Sequence, residues 1–177
     1  MHRVCVFCGS SLGDRPDYTE AARRLGTALA ARGLGLVFGA GHVGLMGALA
    51  DAVLAAGGEA IGVIPQALVD RELAHRGLTQ LRIVQTMHQR KALMADLADG
   101  FIALPGGFGT LDELFEMLTW NQLKIHDKKI YMLNTAGFYD PLRLHLQHLE
   151  KEGFLYDALE DRIQFCPTPA EVLNRLV

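Results

Sequence analysis

Residues 104–116 read Leu104-Pro105-Gly106-Gly107-Phe108-Gly109-Thr110-Leu111-Asp112-Glu113-Leu114-Phe115-Glu116. An apolar run ends in three glycines within four positions, and helical periodicity starts at once. A strand passing through a bare turn into a helix is the repeating unit of α/β architecture. Such a turn meets one of two needs: a tight change of direction with an ordinary cap, or close approach of a phosphate to the backbone. Thr110 to Glu113 has the T-x-x-E spacing of a capping box, which predicts a helix over Thr110–Leu123. The box accounts for Thr110 and Glu113. It does not account for the Pro-Gly-Gly-Phe-Gly before them, nor for Glu116, which shares a helix face with Glu113.

The same alternation runs along the chain. Strands are expected at Val4–Cys8, Leu36–Phe38, Ala60–Ile64, Leu81–Val84, Phe101–Leu104, Ile130–Leu133 and Ile163–Phe165. Helices are expected over Pro16–Arg32, Leu45–Ala56, Met87–Leu97 with Thr86 as N-cap, Asp140–Lys151 with Asp140 as N-cap before Pro141, and from Thr168 onward. Residues 66–80 read as irregular or briefly helical. The strands are apolar without alternation, the pattern of strands buried on both faces. The sequence thus predicts a single domain over 1–177, a doubly wound, Rossmann-like parallel sheet with helices on both faces. Ligands of such sheets bind beyond the carboxyl ends of the strands, where strand order reverses.

Composition narrows the function classes. The chain has 177 residues, half of them hydrophobic, and a formal net charge of −3. It lacks the basic excess of a general nucleic-acid or membrane-surface binder. No apolar run approaches the roughly 20 residues that span a bilayer, and Met1-His2-Arg3-Val4 runs into a strand without a signal-peptide layout. A cytoplasmic location is expected. Of three cysteines, Cys5 and Cys8 form C-x-x-C, but strand alternation sends them to opposite faces, so buried thiols are expected rather than a redox pair or half a zinc site. His145 and His148 lack a third ligand and read as the polar side of a helix, so no metal is expected.

Three glycine-rich turns follow strands: Gly9-Ser10-Ser11-Leu12-Gly13, Gly39-Ala40-Gly41-His42-Val43-Gly44, and the Pro105–Thr110 turn. The second matches G-x-G-x-x-G, but the next strand ends Val63-Ile64-Pro65, without the acid a dinucleotide ribose requires. No turn is followed by the Gly-Lys-Ser/Thr of a P-loop. Phosphate at a helix N-terminus remains the supported chemistry for the second and third turns. Met87-His88-Gln89-Arg90-Lys91 places two cations in the first turn of a helix, where the dipole disfavours them. A phosphate or Glu113 is expected beside them.

Pro105-Gly106-Gly107-Phe108-Gly109-Thr110-Leu111-Asp112-Glu113 resembles the P-G-G-x-G-T-x-x-E motif of the lonely-guy (LOG) family, the cytokinin riboside 5′-monophosphate phosphoribohydrolases often labelled lysine decarboxylases. Met87-His88-Gln89-Arg90-Lys91 is similar to that family's second signature. The likeness extends to Cys8-Gly9-Ser10-Ser11, Gly44-Leu45-Met46-Gly47, Arg71-Glu72-Leu73 and Trp120-Asn121-Gln122-Leu123, and covers the chain to about Gly153. One departure is Ala40, where the family has glycine in Tyr-Gly-Gly-Gly; a methyl there would narrow the loop's approach to a ligand.

The resemblance implies hydrolysis of the N-glycosidic bond of an adenine-type nucleoside 5′-monophosphate, with no cofactor. Glu113 would stabilise the oxocarbenium-like ribosyl centre and orient water, and Arg90 would face the departing base as a fixed cation. The backbone of Gly106, Gly107, Phe108, Gly109 and Thr110, with the Thr110 hydroxyl, would hold the phosphate, and Lys91 would lie near it. Leu111, Asp112, Glu116, Glu72, Thr119, Gly9, Ser10, Gly39, Gly41, Gly44 and Met46 complete the expected substrate contacts. The expected partners are a small-molecule nucleotide and a second copy of the chain in a homodimer. The alternative is a nucleotide or cofactor carrier on the same fold, such as the molybdenum-cofactor carriers. Decarboxylation of lysine would need a Schiff-base lysine for pyridoxal phosphate, and of the five lysines only Lys91 falls in a plausible site.

Overall fold

The computed structural model describes residues 2–69, 71 and 73–176. In chain order the elements are β1 (Arg3–Phe7), α1 (Pro16–Ala31), β2 (Gly35–Phe38), α2 (Gly44–Ala55), β3 (Ala60–Pro65), α3 (Gln66–Val69), β4 (Gln80–Val84), α4 (Met87–Leu97) and β5 (Gly100–Ala103), then α5 (Phe108–Gln122), β6 (Lys129–Leu133), α6 (Asp140–Lys151), α7 (Leu159–Arg162), β7 (Gln164–Cys166) and α8 (Pro169–Leu176). The strands form one parallel sheet in the order β4-β3-β2-β1-β5-β6-β7. The chain winds outward from β1 to β4, then crosses back to β5 on the other side of β1. The switch point therefore lies between β1 and β5.

Both faces of the central strands are covered, which is why their sequences do not alternate. In β1, Val4 and Val6 face a core built with Leu25 and Leu29 of α1, Leu45 and Leu49 of α2, and Val172 and Leu173 of α8. Cys5 and Phe7 face the opposite core, with Met94 of α4 and Leu114 and Met117 of α5. Cys5 and Cys8 lie in different cores, and all three cysteines are free and buried. Burial raises the pKa of each, chiefly by disfavouring the thiolate.

Three expectations need correction. The T-x-x-E at Thr110 is not the cap of α5. That helix starts two residues earlier, Gly107 is its N-cap, and no side chain caps it. The capping box sits instead at α4, where Thr86 Oγ1 accepts from the Gln89 N–H at 3.1 Å and Gln89 Oε1 accepts from the Thr86 N–H at 3.3 Å. At α6 the N-cap is Tyr139, with Asp140 the first helical residue; its carboxylate accepts from Asn134 Nδ2 at 2.7 Å. Finally, β4 is an edge strand with Leu81, Arg82 and Ile83 exposed, so it is not buried on both faces. Among the described residues, no helix is long and apolar enough to cross a membrane.

Candidate active site

A cavity of about 480 Å³ opens at the carboxyl ends of β1, β2 and β5, at the switch point. Its walls include twelve predicted positions: Gly9, Ser10, Gly39, Gly41, Met46, Arg90, Gly107, Phe108, Gly109, Thr110, Asp112 and Glu113. Cys8, Val43, Ile64, Leu68, Leu73 and Met87 also line it.

The N-termini of α2 and α5, which follow glycine turns at this edge, differ. At α2, the N–H groups of Leu45 and Met46 are directed at the carbonyls of Gly9 and Ser11 (Leu45 to Gly9 3.0 Å, Met46 to Gly9 3.4 Å). The backbone of the first turn thus caps α2 internally. Gly44 takes a positive φ of 65° against the Ser10 backbone and does not line the cavity. At α5 no side chain caps the first amides, and the first intrahelical bond is Leu111 N–H to the Gly107 carbonyl at 3.1 Å. Nothing in the fold occupies the space that side chains at Gly107 or Gly109 would fill. Gly106 differs: the Thr110 hydroxyl lies where its Cβ would be. An uncapped helix start opening into a cavity presents free backbone N–H groups and the positive end of the dipole, the features that favour an anion.

Arg90 and Glu113 meet beside it. Arg90 is 8% exposed. Its Nε donates to the Val63 carbonyl at 3.1 Å and its Nη2 to the Gly39 carbonyl at 2.8 Å. A side chain at Gly39 would collide with this guanidinium. The stem and fork of Arg90 tie α4 to the ends of β2 and β3. Its Nη1 lies 3.9 Å from Glu113 Oε1. Glu113 is 9% exposed, and burial pushes its pKa up from 4.5 to about 7 against the opposing pull of Arg90.

Lys91 points elsewhere. Its Nζ lies 3.1 Å from Asp112 Oδ2 and 3.1 Å from Glu116 Oε2. Burial lowers its pKa, but Asp112 and Glu116 outweigh burial and the net shift is upward. Neither Lys91 nor Glu116 lines the cavity. This pairing balances the charge of Lys91 on two carboxylates of α5. It also separates the two glutamates, Glu113 in the cavity and Glu116 bound to the lysine behind it.

Leu111 and Thr119 lie off the cavity as well: Leu111 packs against the core that holds Cys5 and Phe7, and the exposed Thr119 donates its hydroxyl to the Phe115 carbonyl at 2.7 Å. Glu72 lies outside the described residues. Ala40 does not narrow the cavity. It is fully buried, takes a φ of 62°, and turns its methyl toward Gly62. Sequence reasoning missed the apolar wall of Val43, Ile64, Leu68, Leu73 and Met87, because such side chains carry no chemical signature.

A family model described as "Possible lysine decarboxylase" matches residues 46–176. A cytokinin riboside 5′-monophosphate phosphoribohydrolase of Oryza sativa subsp. japonica is 46% identical over 99% of this chain and 73% of its own length. One from Arabidopsis thaliana is 45% identical over 98% of this chain and 82% of its own. The chain belongs to the LOG family. Among solved structures, a molybdenum cofactor binding protein from Rippkaea orientalis aligns over 99% of the chain and 94% of its own, with a TM-score of 0.75 and 20% identity, which establishes a shared fold. The decarboxylase wording attached to this LOG-family model does not fit the residues. Pyridoxal phosphate chemistry needs a Schiff-base lysine in the cavity, and no described lysine lines it.

Proposed function

We propose that the cavity hydrolyses the N-glycosidic bond of adenine-type nucleoside 5′-monophosphates, AMP or N6-substituted AMP, to free base and ribose 5-phosphate. The observation that carries this reading is one cavity holding both the uncapped start of α5 and, farther along the same helix, a buried carboxylate facing a fixed guanidinium. Relatives named for phosphoribohydrolase activity match almost the whole chain.

In this reading the phosphate binds the N–H groups of the Gly107–Thr110 turn, which places C1′ toward Glu113. Water attacks C1′ and gives its proton to the Glu113 carboxylate. The C1′–N9 bond breaks with its electron pair leaving on the base, which is protonated from solvent. A carboxylate poised near neutrality suits proton acceptance, and its charge stabilises the oxocarbenium-like centre. Arg90, anchored on two carbonyls, presents Nη1 toward the same region without rearranging. The apolar wall receives the base and any N6 substituent.

Two further readings go with this one. A homodimer is supported by exposed apolar side chains at the start, middle and C-cap of α5, Phe108 (92% exposed, at the cavity rim), Phe115 and Leu123; light scattering should give twice the chain mass. Three free, buried cysteines suit a reducing compartment and support a cytoplasmic site of action.

The test is removal of the phosphate. Losing two charge-assisted hydrogen bonds of roughly 1.5–3 kcal/mol each lowers kcat/KM for adenosine by about 10²–10⁴ relative to AMP. Equal rates on adenosine and AMP would remove the phosphate assignment.

A further inference from the structure

The strap of residues 73–78, which precedes β4, supplies Leu73, beside Leu68 of α3, to the apolar wall of the cavity. It is stitched to the glycine turn after β2. Ala74 forms an antiparallel bridge with Gly41, the His75 N–H donates to the Ala40 carbonyl at 2.8 Å, and the His42 N–H donates to the Leu73 carbonyl at 3.1 Å. The His42 ring adds Nδ1 at 3.0 Å from that same carbonyl. The bond from His75 reaches a residue, Ala40, that holds a left-handed backbone conformation without being glycine.

His75 links the strap to α2 through its side chain. Its Nε2 lies 2.9 Å from Asp51 Oδ1. Its Nδ1 accepts the Gly77 N–H at 3.1 Å, so the ring proton belongs on Nε2, directed at Asp51. The ring is thus fixed from both nitrogens, 11% exposed, between the strap's own turn and a helix of the rigid core. His75 does not itself line the cavity.

We propose that His75 is a positioning residue: by clamping the strap to Asp51 it holds Leu73 and Leu68 as the wall against the base end of the substrate, and so sets affinity for N6-substituted nucleotides. The proposal rests on the nucleotide reading of the cavity. A wall that contacts only the base end affects KM for a substrate with a bulky apolar N6 group more than KM for AMP, and leaves kcat alone.

Steady-state kinetics on AMP and N6-isopentenyl-AMP, with amide hydrogen exchange over residues 73–78, test this in wild type, His75→Ala and His75→Gln. Gln can place an N–H near the position of Nε2 and is the rescue variant. His75→Ala is expected to raise KM for the isopentenyl nucleotide about tenfold, and for AMP less than about threefold, with kcat within about twofold of wild type. Exchange in the nucleotide-free protein is expected to be faster in the Ala variant and to return toward wild type in the Gln variant. Unchanged KM values, unchanged exchange, or an equal loss on both substrates with a lowered Tm would overturn the proposal, the last by showing a merely structural role. Wild-type protein that hydrolyses neither nucleotide would remove the underlying reading, and the proposal with it. Exchange slowed by His75 in such a protein would still separate that failure from a failure of the clamp.

Discussion

Glu113 lies in the cavity, and its carboxyl titrates near neutrality because burial outweighs the nearby Arg90. The catalytic form is the ionised one, so kcat/KM on AMP is expected to rise with pH up to about 7 and level off above it, in a pH–rate profile. A profile flat from pH 5 to 9 would contradict this. The same shift has a stability consequence. Folded protein binds this proton more tightly than unfolded protein, so the stabilisation is full at acid pH, below about 4.5, and is lost as pH rises through about 7. Glu113→Gln carries no such charge. Its Tm is expected to gain on wild type between pH 5 and pH 8.5, by a stability on the order of 3 kcal/mol, while AMP hydrolysis falls by roughly 10²–10⁴. A Tm difference that does not change with pH would count against the buried carboxylate. Arg90→Lys keeps the charge but cannot span the Val63 and Gly39 carbonyls. Loss of stability of about 2–4 kcal/mol is expected together with impaired hydrolysis, measurable by thermal melting beside kinetics. That something negative, a phosphate or Glu113, stands beside Arg90 was legible in the sequence, because cations in a first helical turn call for a negative partner; the structure puts Glu113 there. The burial of Arg90 was not, since its partners are backbone carbonyls from distant strands.

At the scale of elements, the strand–turn–helix units were legible from apolar runs and glycine punctuation, and the cap of α4 from Thr86. The start of α5 was misread because T-x-x-E imitates a capping box. The structure puts Gly107 at the N-cap, so Thr110 lies inside the first turn, over Gly106. Carbonyls of the first glycine turn fill the start of α2, a tertiary fact with no local signal in the second turn. The uncapped α5 start yields a discriminating substitution. Gly109 is helical, without a positive φ, and has open space where a methyl would stand. Gly109→Ala is expected to stabilise the fold by about 0.5–1 kcal/mol while raising KM for AMP. Higher Tm with unchanged KM would show that no phosphate approaches this turn.

For the whole molecule, strand order was legible only as a class, doubly wound and parallel; that β4 ends the sheet with its outer residues exposed depends on which strands find no second neighbour. The winding reversal beside β1 brings the first and third glycine turns together, with Gly9 N–H donating to the Pro105 carbonyl at 3.0 Å, and leaves the cavity between them. A carrier on this fold would need the cavity but not the carboxylate within it. The most direct measurement is product analysis: incubation of wild-type protein in catalytic amount with AMP and with N6-isopentenyl-AMP, followed by chromatography of the whole mixture. Free base and ribose 5-phosphate in equal amounts, many times the amount of enzyme, are the expected result; recovery of both nucleotides intact would contradict the hydrolase.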